Sequence, residues 1–127
     1  PKLSFNTKLH LSEPALEKIL SDISSVSDHV TVDTTKDKVS FLGKSDMGTA
    51  SITIDKGSEE LLELEVKEDS KATYSLDYLI KITKAASAAS DTVICEYSSK
   101  MPLRLDFKLS QAGGKIHFYL APRVEER

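Results

Sequence analysis

Residues 5–11, Phe5-Asn6-Thr7-Lys8-Leu9-His10-Leu11, alternate apolar and polar side chains, the period of a half-buried strand. Ser12 follows as a helix N-cap, with Glu13 and Pro14 in a first turn that suits both. Leu16, Ile19, Leu20, Ile23 and Val26 then recur at helical spacing, which predicts an amphipathic helix from residue 13 to about 25. Strands are predicted next over 29–34, 38–42 and 48–55, with Lys36-Asp37 as a tight turn between the first two. Over 60–68, Leu62, Leu64 and Val66 alternate with Glu63, Glu65 and Lys67, another strand, and 71–74 is a short one. Ser75 is a second N-cap. Leu76, Leu79, Ile80, Ile82, Thr83 and Ala86 form the inner face of a second helix, to about residue 89. Three strands close the chain, over 92–97, 103–109 and 115–120, the last two joined by a turn at Gln111-Ala112-Gly113-Gly114.

This rhythm occurs twice. A shift of 63 positions lays Ser12 on Ser75, Leu16 on Leu79, Lys18 on Lys81, Ile19 on Ile82, Ser27 on Ser90, Asp28 on Asp91 and Val30 on Val93. One further residue brings Val39 onto Leu103 and Phe41 onto Leu105. The matches include polar caps as well as core positions, so chance alignment of two amphipathic helices is the weaker explanation. Each copy reads strand, helix, three strands, and one extra strand separates the copies. The expectation is an α+β domain, an internal βαβββ duplication whose two helices pack side by side on twisted antiparallel sheets about a pseudo-twofold axis.

With 127 residues, one domain with a substantial core is expected; 39% of residues are hydrophobic and 29% charged. A net charge of −3 argues against a bulk nucleic-acid binder but allows a local basic stripe. The lone Cys95 can form no internal disulfide and fits a reducing compartment. No apolar run approaches the ~20 residues that cross a membrane, so no membrane role is expected. The chain opens on Pro1 rather than Met, so it is expected to be a piece of something longer.

Candidate chemistry is sparse. His10, His29 and His117 lack ligand spacing, Cys95 lacks a CxxC partner, and no metal site is expected. There is no Gly-x-Ser-x-Gly turn, and Gly113-Gly114 does not lead into a helix, so neither a serine nucleophile nor a phosphate loop is legible. No enzyme residues and no cofactor can be named. The helices say more. Lys18 projects opposite Leu16, Lys81 opposite Leu79, and Lys84 shares that outer face, amid the small residues Ser21, Ser25 and Ala88. Such a face can approach phosphates closely and without base specificity; the alternative is an ordinary solvated face, which Asp77, one turn before Lys81, favours. At the end of the chain, Tyr119, Ala121-Pro122-Arg123-Val124 and the Met101-Pro102 turn read either as a frayed end or as an apolar surface groove. The strand 48–54, Gly48-Thr49-Ala50-Ser51-Ile52-Thr53-Ile54, carries neither Pro nor charge, the devices that normally protect a sheet edge.

The stretch Gly114-Lys115-Ile116-His117-Phe118-Tyr119-Leu120-Ala121-Pro122-Arg123-Val124-Glu125 resembles the ending of PCNA-type DNA sliding clamps of archaeal kind. Ser75-Leu76-Asp77-Tyr78-Leu79 with Thr83-Lys84-Ala85 is similar to the second inner helix of that family, and Met101-Pro102-Leu103 to its turn into the penultimate strand. The resemblance runs from about Phe5 to Glu126. It implies the DNA-clamp fold, with residues 1–4 as the end of an inter-domain connecting loop and 5–127 as the C-terminal clamp domain. Such clamps are ring trimers of two-domain subunits that encircle duplex DNA as non-enzymatic processivity factors in replication and repair.

Carried over by position, Lys18, Lys81 and Lys84 face DNA. Met101, Pro102, Tyr119, Ala121, Pro122, Arg123 and Val124 bind client PIP-box peptides, from polymerase, ligase, flap nuclease and clamp loader. Ile23 and the strand Gly48, Thr49, Ala50, Ser51, Ile52, Thr53, Ile54 lie at the subunit boundary. Localisation would be cytoplasmic, with the nucleoid, in an archaeon, and nuclear in a eukaryote. Ser21 and Asp77 stand where many members carry basic residues, which implies a weakly charged DNA face, and only half of a subunit is represented. The competing expectation is a protein-interaction module of the same fold with no direct DNA role.

Overall fold

A computed structural model describes residues 4–109 and 113–123. The expected duplication is what the chain forms. The first repeat comprises β1 (Thr7–Ser12), α1 (Glu13–Ser24), β2 (His29–Thr34), β3 (Lys38–Ser45) and β4 (Gly48–Asp55). A linking strand, β5 (Leu61–Val66), leads to the second repeat: β6 (Ser70–Ser75), α2 (Leu76–Ser87), β7 (Thr92–Tyr97), β8 (Leu103–Lys108) and β9 (Lys115–Leu120). The helices end slightly earlier than their apolar spacing suggested, because the caps Ser25 and Ala88 already close short turns onto Asp22 and Ala86.

The repeats exchange their first strands. One sheet runs β5-β1-β7-β8-β9 and the other β4-β3-β2-β6, all antiparallel. Leu9 of β1 pairs with Cys95, and its counterpart Ala72 of β6 pairs with Val32, the counterpart of Cys95. The helices lie side by side, and their apolar stripes close the core. Leu16, Ile19, Leu20 and Ile23 of α1 and Leu76, Leu79 and Ala86 of α2 are all buried, as are Val30, Phe41, Val93 and Leu105 from the strands. Burying a side chain of that size contributes about 1.5–3 kcal/mol. The two sheets meet where Tyr74 and Tyr97 stack edge to face, ring centres 6.4 Å apart.

The pseudo-twofold axis can be located from bonds between counterparts, since only residues on the axis can touch their own equivalents. Thr34 Oγ1 lies 2.6 Å from Tyr97 Oη, and Thr7 Oγ1 3.1 Å from Ser70 Oγ. Away from the axis, bonds come in matched pairs. The Glu13 amide donates to the Asp91 carbonyl (2.8 Å), and the Leu76 amide donates to the Asp28 carbonyl (3.1 Å). Each helix thus has its first amide satisfied by the loop that follows the other helix. The side-chain caps do not share this symmetry. Ser12 Oγ accepts from the Ala15 amide, but Ser75, in the same extended conformation, makes no side-chain cap bond.

Candidate functional site: a helix face, a docked tail and an open edge

The lysine face is real but uneven. Lys18, Lys81 and Lys84 are all exposed. Lys18 Nζ lies 3.1 Å from Asp22 Oδ2, one turn on, so much of its charge is answered locally. Lys81 and Lys84 form no ion pair among the described residues, and Asp77, although one turn before Lys81, does not pair with it. A groove of about 480 Å³ runs between the helices, lined by Lys18, Ser21 and Ser24 on α1 and by Ile80 and Lys84 on α2. The structure therefore brings Lys18 and Lys84 to one groove, although Lys81 is the sequence counterpart of Lys18. Lys81 does not line it.

The tail and the Met101-Pro102 turn, distant in sequence, converge on β6, an edge strand of its sheet. The Lys100 amide donates to the Lys71 carbonyl (3.3 Å) and the Arg123 amide to the Thr73 carbonyl (2.7 Å), both on the side of β6 away from β2. Tyr74 Oη donates to the Met101 carbonyl (2.6 Å), fixing the turn from within. Arg123 also reaches Asp28 Oδ1 (3.2 Å), the same carboxylate oxygen that meets His29 Nδ1 at 3.0 Å. These two partners hold the Asp28 carboxyl below its usual range, His29 contributing most. Met101, Tyr119 and Ala121 are exposed and Pro102 and Pro122 half-buried, with the Arg104 guanidinium 5.8 Å over the Tyr119 ring. Val124, the expected last contributor, lies outside the described residues, as do Gln111 and Ala112 of the expected turn.

β4 is an edge strand with β3 as its only partner among the described residues. Thr49, Ser51 and Thr53 are exposed, Gly48, Ala50 and Ile52 half-buried, and Ile54 buried. An adjoining groove of about 380 Å³ is lined by Ala15, Lys18 and Ile19 of α1 and by residues 52–55. Ile23 is elsewhere. It has no exposed surface and packs under Gly43, where an added Cβ would fall 2.4 Å from its Cγ2. Its expected place at an outer boundary is corrected to the core; the α1 residues beside β4 are Ala15, Lys18 and Ile19. The signal for this was present in the sequence: Gly43 falls on an inward-facing position of β3, which calls for a large side chain opposite.

Cys95 is buried and its thiol pushed up to about 12 by that burial, so it is not a thiolate nucleophile near neutrality. His117 Nδ1 sits 3.1 Å from Asp106 Oδ1 on the outer face of the β8–β9 pair. Among the described residues no helix is long and apolar enough to cross a membrane.

Comparison with known proteins agrees with this geometry. The chain is 46% identical over 125 residues to a protein named DNA polymerase sliding clamp from Nitrosopumilus maritimus, and 44% identical over 124 residues to one of the same name from Cenarchaeum symbiosum. Each match covers 98% of this chain and 50% of the relative, so the chain spans about half the length of these proteins. The crystal structure of PCNA from Thermococcus kodakaraensis superimposes with a TM-score of 0.87 at 26% identity, over 97% of this chain and 50% of that one. Residues 1–123 match the family described as proliferating cell nuclear antigen, C-terminal domain, and the chain belongs to that family.

Proposed function

We propose that this chain is half of a sliding-clamp subunit, a non-enzymatic part of a ring, built from three subunits, that encircles duplex DNA and holds replication and repair proteins on it. The observation that carries this reading is the pair of matched helices, packed side by side, on which Lys18, Lys81 and Lys84 are all exposed and Lys18 and Lys84 line one groove. Phosphates are contacted by mobile lysines, without sequence preference. Clients dock as short peptides with apolar and aromatic anchors against Met101, Pro102, Tyr119 and the tail 121–124. The edge of β4 joins a neighbouring subunit. In an archaeal cell the protein works on DNA in the cytoplasm.

The test uses the intact subunit. Changing Lys18, Lys81 and Lys84 together to Ala should leave the fold intact and weaken association with DNA most at low salt, with a shallower salt dependence. A salt slope identical to that of the unaltered ring would refute the DNA contact. One observation favours the second reading, an interaction module without a DNA role. α1 carries Glu13, Glu17 and Asp22 against the single cation Lys18. That reading predicts no salt-dependent association with DNA at all.

A further inference from the structure

The N-terminal turn of α1 contains a carboxyl where the fold calls for a hydrocarbon. Glu13 is 2% exposed, and its counterpart in α2 is Leu76, 1% exposed. The seat is a core position in both repeats. In α1 the buried Oε2 atom has no hydrogen-bond partner. The groups that face it are of its own sign. Glu17, one turn along α1, lies within hydrogen-bonding reach, and Asp91 approaches from the loop between α2 and β7, the residue whose carbonyl takes the Glu13 amide. The remaining nearby acid, Glu60, lends its carbonyl to the Ser12 amide while its carboxylate is occupied by Ser58. No ion pair joins Glu13 to a cation among the described residues. Two carboxyl groups can bond to each other only if one holds a proton, and a buried charge without a counter-ion is expelled or neutralised.

We infer that the Glu13–Glu17 pair is a proton switch in the first turn of α1: with one shared proton the turn is seated against the β7 lead-in, and without it the Glu13 side chain leaves its seat and the turn loosens. Burial, and then Glu17, raise the Glu13 carboxyl to about 7, which places the switch near neutrality. The turn that would move carries Pro14 and Ala15, each lining one of the two grooves beside α1, so the shape of both grooves follows the proton. α2, with Leu76 in the equivalent seat, has no such response and serves as an internal control.

The experiment is carbon-detected NMR titration of the Glu13 carboxyl, with amide hydrogen exchange at pH 5.5 and 8.5 corrected for intrinsic rates. Glu13 should titrate near neutrality. Protection of the α1 amides at Leu16 and Glu17 should fall at least tenfold between the two pH values, while the α2 amides at Leu79 and Ile80 hold theirs. Glu13→Gln, which mimics the protonated form, should keep α1 protection at both pH values. A Glu13 titration in the ordinary carboxylate range, or equal α1 protection at the two pH values, would overturn the switch. So would a Glu13→Gln chain that loses protection as the unaltered chain does.

Discussion

At the end of α1, Ile23 presses on β3 at a glycine: a Cβ on Gly43 would lie 2.4 Å from Ile23 Cγ2 and 2.9 Å from Ser27 Cβ. In the second repeat the corresponding positions hold Ala86 and Phe107, both buried. The strand gains what the helix gives up. At the start of the helices the difference is one of polarity, Glu13 against Leu76 in equivalent buried seats. Between strands it is one of length. Residues 35–37 join β2 to β3, whereas 98–102 join β7 to β8, and the longer turn places Lys100 at φ 60°. One backbone plan therefore tolerates exchange of volume, charge and turn length between its halves, provided each local site is made whole.

The largest expected effect comes from breaking the volume exchange. Ile23→Ala should cost about 2–4 kcal/mol by leaving a cavity, and Gly43→Ala about 1–3 kcal/mol by overfilling. Together they should cost less than the sum, since the added methyl enters the space the isoleucine vacates. Urea denaturation of the four chains gives the coupling; strict additivity would mean the two sites do not share one space.

Next is the buried carboxyl. An unfolded chain releases the Glu13 proton near the ordinary 4.5, whereas the folded one keeps it to about 7. Over that interval the folded state binds more protons, so its stability falls as pH rises from about 4.5 to about 7 and then levels off. Glu13→Leu, which installs the residue of the second repeat, should stabilise the chain by about 1–3 kcal/mol at pH 8 and by much less at pH 4.5. Denaturation at the two pH values checks this; a gain of equal size at both would show that packing, not the proton, separates the seats.

The smallest effect concerns the turn. Lys100→Gly should relieve the left-handed backbone and stabilise by about 0.5–1 kcal/mol, while the same change at Lys36 in the shorter turn should not stabilise. Thermal melts of both variants make the comparison.

Most of the architecture was legible because it rests on periodicity. The alternation in Phe5–Leu11 and the stripe Leu16, Ile19, Leu20, Ile23 are each dictated by a single repeat length, and the 63-residue shift exposed the duplication. The strand exchange was not legible. A half-buried strand looks the same whichever neighbour it takes, and β1 carries no mark of pairing with β7 rather than β2. For the surfaces, helical spacing placed all three lysines outward, but it could not show that Lys18 shares a groove with Lys84 while Asp22 holds its charge. Ile23 was legible from spacing, which puts it on the inner stripe; its place at a boundary came only from the resemblance, and Gly43 opposite it accounts for how deep it sits. Glu13 read as a favourable first-turn acid, since its burial depends on a loop from the other repeat.

The exchange of first strands also governs the order in which the chain can assemble. Leu9 of β1 pairs with Leu64 on one side and Cys95 on the other, so both flanks of β1 stay open until much later sequence has been made. At ordinary rates of synthesis the wait for β7 is on the order of 4–17 s. The meander β2-β3-β4 and helix α1 are contiguous in sequence and can begin to form in that time, although β2 still awaits β6 and α1 still awaits α2. The half-completed chain is thus a three-stranded meander with its helix, preceded by an unpaired strand. The final step is a mutual clasp, β1 onto β7 and β6 onto β2, each of which completes a sheet begun by the other repeat.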